Sequence, residues 1–329
     1  MKKKILIIGS NSFSGSNMIN YLLKKDFNII GVSRSKEPSN IFLPYKKNLN
    51  KNFIFKKLNL NKDINKVINL IKKFKPQYII NYAAQSMVSE SFGNSEQWYK
   101  TNILSQIRLF NFLYKYKSLK KYIHFTTPEV YGNTKKWIRE NNDFNPTTPY
   151  AISRAACDMH LATLYKQFNF PVIFTRAANV YGAGQQLYRI IPQTIIKCRL
   201  GKKLSLEGGG KSIRSFIHIE DVSDAVFKIL MKGKNGSSYH ISTNNIISIK
   251  DLVLMIARVM GIDFKKLVKI TPERRAKDYA YLLNTNKIRK TLNWKNKISL
   301  EKGIIETIDW VDKNIKIIKK KSIKYKHKA

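Results

Sequence analysis

The sequence predicts an α/β protein with a doubly wound parallel sheet and a smaller mixed α/β region towards its C-terminal end. Six short apolar runs between residue 4 and about residue 180 alternate with stretches whose apolar residues recur at helical spacing. At 43% hydrophobic residues, the 329-residue chain can bury a large core despite a formal net charge of +40. Because such sheets bind ligands at the carboxyl ends of their strands, we expect functional residues to follow the strands.

The elements can be placed along the chain in order. Six strands are predicted at 4–8, 28–32, 53–58, 78–83, 121–126 and 172–176, with helices between them. Beyond residue 180 we expect a helix near 190–200, a glycine turn at 208–210 and a short strand at 215–218. Ser248 and Asp251 form a predicted capping box for a helix at 249–260.

The charge suggests a polyanion partner, yet its distribution favours a plainer explanation. The 61 Lys and Arg residues far outnumber the 21 Asp and Glu residues, but they are scattered over the whole length. We interpret most of them as solvated surface and expect no specific nucleic-acid partner. Residues 313–329 are the exception, and we predict a frayed helix end followed by a basic tail.

Cysteine usage and the N-terminal segment predict a cytoplasmic protein. Cys157 and Cys198 form no C-x-x-C pair, so we expect no disulfide, and no metal site is indicated. The apolar run 5–8 after the first lysines is too short for a signal sequence. No 18-residue apolar run suggests a membrane span.

A glycine loop after the first strand predicts dinucleotide binding. The strand runs into Gly9, Ser12 and Gly15 at three-residue spacing, and a helix is predicted from about residue 16. Gly9 permits the tight turn, and Gly15 lets the helix pack closely while its amides meet a pyrophosphate. Phe13 and Ser14 complete the predicted loop.

The end of the second strand favours NADP over NAD. Many NAD enzymes carry an acidic residue there for the ribose 2′-hydroxyl, whereas this chain has Ser33 and Arg34. A guanidinium and a hydroxyl suit a 2′-phosphate, although Arg34 could instead stack on adenine. NAD therefore remains a possible cofactor.

Three further segments follow predicted strands: Asn81-Tyr-Ala-Ala-Gln-Ser86, His124-Phe-Thr-Thr-Pro-Glu-Val-Tyr-Gly132 and Pro149-Tyr-Ala-Ile-Ser-Arg154. With them the chain resembles the extended short-chain dehydrogenase/reductases that act on nucleoside-diphosphate sugars, over nearly its whole length. The likeness is greatest to the dTDP-glucose and GDP-mannose 4,6-dehydratases. The resemblance implies a modified Rossmann domain and leaves the nucleobase open.

The resemblance assigns four catalytic residues. Tyr150 would take the proton from the sugar 4-hydroxyl, and Thr127 would hydrogen-bond the same oxygen. Glu129 would remove the C5 proton. Arg154 would hold the nicotinamide ribose and favour the tyrosinate. The implied product is a 4-keto-6-deoxy sugar nucleotide, formed by internal hydride transfer.

Two positions depart from the family pattern. Arg154 stands where the family's Tyr-x-x-x-Lys motif has lysine, and arginine keeps the charge but not the compact geometry. Pro128 stands where the dTDP-glucose enzymes carry an acid, so protonation of the leaving hydroxyl would come from Glu129 or water.

The resemblance also implies the remaining binding residues. Cofactor contacts are expected, besides the loop, Ser33 and Arg34, at Asn59, Leu60, Ala83, Ala84, Gln85, Asn102, Tyr150 and Arg154. Substrate contacts are expected at Ser86, Asn179, Arg189, Arg214, Arg274 and Arg275.

The resulting organisation has three parts. Residues 1–180 form the cofactor-binding domain, 181–312 mainly the substrate-binding region with some segments returning to the sheet, and 313–329 the tail. A homodimer is implied by the resemblance, through helices at about 96–116 and 149–168. The open alternatives are a 4-epimerase or 4-oxidase, and a noncatalytic basic scaffold that binds polyanions.

Overall fold

The central element is a parallel sheet. The computed structural model of the chain describes residues 2–273 and 278–327. Within these residues, seven parallel strands form one sheet. Numbered along the chain, they are β1 Lys3–Ile8, β2 Phe27–Ser33, β3 Phe53–Lys57, β4 Tyr78–Asn81, β5 Lys121–Thr126, β6 Val172–Ala177 and β11 Ser238–Ile241. Their spatial order is β11-β6-β5-β4-β1-β2-β3.

The remaining strands make three small two-stranded pairs in the described residues. They are β7 Asn179–Tyr181 with β10 Phe216–His218, β8 Leu204–Glu207 with β13 Val268–Thr271, and β9 Ile213–Arg214 with β12 Ile247–Ser248. Only the last pair is antiparallel.

Helices cover both faces of the main sheet and also build the C-terminal region. The α-helices are α1 Phe13–Leu22, α2 Ile64–Phe74, α3 Ser95–Tyr99, α4 Ser105–Leu113, α5 Pro149–Phe168, α6 Ile190–Arg199, α7 Ile219–Lys232, α8 Ile249–Val259, α9 Phe264–Leu267, α10 Asn286–Leu292 and α11 Leu300–Ile318. A π-helical turn, Lys100–Leu104, joins α3 to α4. Short 3₁₀ turns occupy Asn40–Phe42, Pro44–Lys47, Ser89–Ser91, Pro128–Tyr131 and Gly208–Gly210.

Burial on both faces explains the continuous apolar strands. Helices α1, α7 and α10 pack with one face of the sheet, and α2, α4 and α5 pack with the other. The doubly wound fold predicted from the sequence is therefore confirmed. Helices α6, α8 and α11 share a separate apolar core with Tyr181 and Phe216.

Several boundaries differ from the prediction. Helix α1 begins at Phe13 rather than near residue 16, because the Ser12 hydroxyl caps it by accepting from the Gly15 amide at 3.0 Å. Strand β4 ends at Asn81 rather than at residue 83, and the Asn81 side chain accepts from the Ala83 amide at 2.9 Å. The strand β11 was not identified from the sequence.

The C-terminal end departs most from expectation. Helix α11 continues to Ile318, which is buried, so residues 313–318 are an ordered helix rather than a frayed end. Ile323 packs against the C-terminal core. The prediction of a frayed helix end was therefore wrong, because apolar residues between the lysines pack against the protein.

Candidate functional site

Two adjoining cavities open at the carboxyl edge of the sheet. The larger has a volume of about 520 Å³ and lies between this edge and the C-terminal region. The smaller, of about 340 Å³, lies beside the ends of β1, β2 and β3. Four residues line both cavities: Ser12, Tyr82, Ala84 and Gln186. The two cavities thus form one continuous cleft.

The glycine loop has the geometry of a dinucleotide cradle. Gly9 has a φ of +83°, and a Cβ there would lie 2.7 Å from the Ala83 amide nitrogen. A Cβ on Gly15 would collide with the Gly9 carbonyl oxygen. Ser12, Phe13 and Ser14 line the larger cavity at the start of α1, where backbone amides favour an anion. The loop therefore fits a pyrophosphate.

The smaller cavity suits the adenosine half of a dinucleotide. Ser33 and Arg34 line it together with Asn59, Leu60 and Ala83. The Ser33 hydroxyl accepts from the Asn11 amide at 2.9 Å, which fixes it at the end of β2. Burial lowers the pKa of Arg34 from its ordinary value, but arginine stays charged at neutral pH.

Two predicted cofactor residues lie behind the wall of this cleft. Asn102 and Gln85 are buried and line neither cavity. Asn102 accepts from the Gln85 amide at 2.8 Å and donates to the Ser153 hydroxyl at 2.9 Å. Because Ser153 lies on α5, this amide side chain ties the loop after β4 to the helix that carries Tyr150.

Three residues form a cavity-facing trio at the end of β5 and the start of α5: Thr127, Glu129 and Tyr150. Thr127 begins the turn Pro128–Tyr131, and its hydroxyl accepts from the Glu129 amide at 3.4 Å. A hydrogen bond from Thr127 also reaches Tyr150. Tyr150 is the second residue of α5, and the Thr148 hydroxyl caps the start of this helix.

Two members of the trio, Glu129 and Tyr150, have raised pKa values. Burial raises the pKa of Glu129, and the charges of Arg214 and Arg189 oppose this shift. Burial, followed by the Glu129 charge, raises the pKa of Tyr150 to about 12, and Arg154 opposes it. A carboxyl that holds its proton more tightly than usual is a stronger base when ionised.

Arg154 is almost completely buried and bridges the trio to the residues behind it. Its Nη2 donates to the Phe125 carbonyl oxygen at 2.6 Å and approaches His124 Nε2 at 3.2 Å. Burial and the Arg154 charge hold the pKa of His124 well below its ordinary value, so the imidazole is neutral and accepts this bond. Arg154 Nε and Nη1 have no hydrogen-bond partner among the described residues. Arg154 also lines the larger cavity, which places its charge at the cleft wall.

We call His124, Arg154, Asp158 and Arg176 the support cluster. All four are at most 2% exposed. Arg176 donates to Asp158 at 2.7 Å, and its guanidinium lies 5.1 Å from the Tyr131 ring centre. Burial raises the pKa of Asp158, and the two arginines oppose that shift. His124 Nε2 lies 3.4 Å from Asp158, but two acceptors meet there, so the contact is not an ion pair.

Most predicted substrate residues meet in the larger cavity. Ser86, Asn179, Arg189 and Arg214 line it, whereas Arg274 and Arg275 lie outside the described residues. Arg214 Nη2 donates to the Asp278 carbonyl oxygen at 2.7 Å, and its guanidinium lies 4.8 Å from the Tyr281 ring centre. These contacts hold a cation beside the trio.

Sequence reasoning missed several residues of the cleft. Tyr188 and Gln186 line the larger cavity from the loop before α6. Tyr281 lines neither cavity but donates to Asp278 at 2.6 Å, and burial and then the charge of Glu129 raise its pKa. Their spacing matches no motif, although the density of aromatic and amide side chains in 181–188 is a usable signal.

The described residues contain neither a candidate metal site nor a candidate membrane span. Within 2–273 and 278–327, no three His, Cys, Asp or Glu residues form a group that could hold a metal ion. No helix in that part of the chain is both long and apolar enough to cross a membrane. The cytoplasmic location stays a prediction.

The parallel sheet, the glycine loop and the tyrosine helix define an extended short-chain dehydrogenase/reductase of the nucleotide-sugar dehydratase/epimerase class. The family model described as GDP-mannose 4,6 dehydratase matches residues 6–307. The chain belongs to this family.

Curated relatives carry related names. A trifunctional UDP-glucose 4,6-dehydratase/UDP-4-keto-6-deoxy-D-glucose 3,5-epimerase/UDP-4-keto-L-rhamnose-reductase of Arabidopsis thaliana is 31% identical over 95% of this chain and 47% of its own length. The chain thus spans about half of that relative. A dTDP-D-glucose 4,6-dehydratase of Dictyostelium discoideum is 32% identical over 95% of this chain and 82% of its own.

Solved structures share the fold over almost their whole length. The dTDP-glucose 4,6-dehydratase of Bacillus anthracis in complex with NAD is 30% identical, with a TM-score of 0.85, over 95% of this chain and 98% of that one. The UDP-glucose 4-epimerase of Thermotoga maritima with UDP-glucose is 26% identical, with a TM-score of 0.86, over 95% and 99%. Dehydratases and epimerases therefore share this architecture.

Proposed function

We propose that the protein is a nucleoside-diphosphate-sugar 4,6-dehydratase that forms a 4-keto-6-deoxy sugar nucleotide. The observation that carries the proposal is the position of Glu129 in the larger cavity, beside Tyr150 and under the charges of Arg189 and Arg214. The names of the curated dehydratase relatives support the same reaction.

The first step falls to Tyr150 and Thr127. The bound nicotinamide would supply a hydride acceptor for the sugar C4 and return the hydride later. Tyr150 takes the proton of the 4-hydroxyl while Thr127 orients the same oxygen. Burial and the Glu129 charge raise the pKa of Tyr150 to about 12, and the nearby Arg154 cation opposes this rise and so favours the tyrosinate.

Glu129 performs the second step. Once C4 is a ketone, the C5 proton is acidified and a carboxylate can remove it. The raised pKa of Glu129 makes it a stronger base and lets the protonated carboxyl give the same proton to the leaving C6 hydroxyl. Glu129 then acts as both base and acid, so the reaction does not require an acid at the preceding position, where this chain has Pro128.

A 4-epimerase or 4-oxidase is the alternative enzyme, and epimerases share the fold. Those reactions need Tyr150 and the cofactor but no base for C5. Glu129 is the feature that separates them from a dehydratase, since a carboxylate in this cavity has no task in a reaction confined to C4.

Glu129→Gln tests the reaction. The variant should still reduce bound cofactor when substrate is added, seen as nicotinamide absorbance, but product should form about 10²- to 10⁴-fold more slowly. Product is detected by mass spectrometry as the loss of one water from a panel of nucleotide sugars. Glu301→Gln, an exposed position on α11, is the matched control. Native product formation in Glu129→Gln would remove Glu129 from the mechanism, whereas unchanged substrate mass in the native enzyme would refute the dehydratase.

For the cofactor we propose a nicotinamide adenine dinucleotide, with NADP preferred because Arg34 lines the adenosine cavity. The Bacillus anthracis relative holds NAD, so the preference needs a direct competition. Arg34→Ala should weaken NADP by about 1.5 to 3 kcal/mol and NAD much less. Equal losses of affinity for NADP and NAD would show that Arg34 does not bind a 2′-phosphate.

We further propose a homodimer formed through α5 and the turn before α4. Ile152 and Met159 are exposed two helical turns apart on α5, and Leu104 is exposed on the adjoining π-helical turn. Met159→Asp should shift the sedimentation of the protein towards the monomer. Leu254, an exposed apolar residue of α8, lies outside this proposed interface, and a dimer unaffected by Met159→Asp would place the interface elsewhere.

A further inference from the structure

The C-terminal segment 319–327, here called the strap, contacts Gln193 and Tyr188, two residues that line the larger cavity. It leaves the end of α11, and its Ile323 packs against the C-terminal core. The Ile323 carbonyl oxygen accepts from Gln193 at 3.4 Å. This segment lies beyond residue 307, where the family match ends. Its position is therefore a feature of this chain, independent of the family motifs.

The next contact of the strap is with the substrate loop. The Tyr325 and Tyr188 ring centres lie 5.2 Å apart, almost perpendicular. Tyr188 lines the larger cavity and precedes Arg189, whose guanidinium lies over its ring. Burial raises the pKa of Tyr325, and the charge of Arg34 lowers it again, which puts the hydroxyl within electrostatic reach of the adenosine cavity.

The strap ends on the other side of the cleft. His327 stacks on Trp98 with ring centres 5.1 Å apart, and its Nε2 lies 2.6 Å from Gln97 Oε1. Its Nδ1 lies 3.2 Å from the Tyr325 hydroxyl. Trp98 is fully buried, and Thr101, one turn later, lines the adenosine cavity. The strap thus joins the C-terminal region to the cofactor domain across the cleft.

We propose that Tyr325 and His327 fasten the strap beside the cofactor site, and that the fastened strap slows release of the nicotinamide cofactor. This proposal rests on the proposed function in one respect. Internal hydride transfer returns the cofactor to its starting state, so the reaction gains nothing from cofactor exchange. A strap that slows cofactor release therefore does not slow turnover.

The test measures release of bound cofactor from the full chain. The Tyr325→Ala/His327→Ala double variant loses two aromatic contacts and the hydrogen bonds of the strap, and cofactor should leave about tenfold faster or more. Release is followed by dilution of the loaded protein into excess unlabelled cofactor. Lys324→Ala/Lys326→Ala is the matched control, because these exposed neighbours change the charge but not those contacts.

The outcomes separate the strap from the proposed reaction. With saturating cofactor, kcat of the double variant should stay near native, whereas activity after dilution should fall with time. A release rate within about twofold of native would overturn the proposal, as would an equal acceleration in the lysine control. Failure of the native chain to reduce bound cofactor with any nucleotide sugar would instead refute the proposed reaction and leave the release result intact.

Discussion

The cavity-facing trio and the support cluster are neighbouring groups that use their polar side chains differently. In the trio, Glu129 and Tyr150 have raised pKa values and face open space. In the support cluster, Asp158 is paired with Arg176 at 2.7 Å and both are buried. The difference teaches that charge alone does not mark a catalytic residue. What distinguishes the trio is access to the cavity, whereas the cluster positions Arg154 from behind.

The largest expected effect is on the trio. Tyr150→Phe removes the proton acceptor, so turnover should fall by about 10²- to 10⁴-fold. The free energy of unfolding should change little, because the ring and its packing remain. Turnover is measured with the accepted nucleotide sugar and stability by urea unfolding. A large loss of stability with retained turnover would reverse the contrast between the two regions.

The next effect belongs to the support cluster and concerns stability. Asp158→Asn leaves Arg176 buried without its counter-charge, and the free energy of unfolding should fall by about 3 to 5 kcal/mol. The exposed pair of Arg199 and Asp312 supplies the control, since Asp312→Asn should cost no more than about 1 kcal/mol. Equal effects for the two variants would show that the buried pair does not hold the cluster together.

Arg154 sharpens the comparison because it belongs to the support cluster while its charge acts on Tyr150 of the trio. Arg154→Met removes the cation near Tyr150, and turnover should fall by about 10- to 100-fold, as for a lost charged hydrogen bond. Arg154→Lys restores a cation and should stay within about tenfold of native. Full turnover in Arg154→Met would mean that Tyr150 is activated without this charge.

The smallest expected effect is on the pH dependence of stability. The folded-state pKa of Glu129 is raised, so the folded protein binds this proton more tightly than the unfolded chain, and stability falls as pH rises through that value. Glu129→Gln should therefore unfold at a higher temperature than native at neutral pH. The difference should vanish below the ordinary pKa of a glutamate. A thermal scan at several pH values measures it, and a lower Tm at neutral pH would contradict the assignment.

The sequence by itself determined the sheet and much of the cleft. Apolar runs of strand length, separated by helical patterns, can be buried on both faces only in a parallel sheet, so the first six strands were predictable within one or two residues at most ends. The loop of Gly9, Ser12 and Gly15 was equally predictable, because its steric requirements are local. Placement after β5 brought Thr127 and Glu129 to one cavity, and Tyr150 joins them from the start of α5.

Only the tertiary structure decided the rest. Strand β11 is four residues long and is stabilised by pairing with β6, which no local sequence pattern predicts. Asn102 was predicted as a cofactor contact, and only the structure shows that it ties the loop after β4 to α5. The lysine-rich end looked like a tail because local composition is dominated by charge, whereas the contacts of Ile323, Tyr325 and His327 join residues more than 100 positions apart. Such contacts depend on how the finished domains meet, and periodicity along the chain carries no information about them.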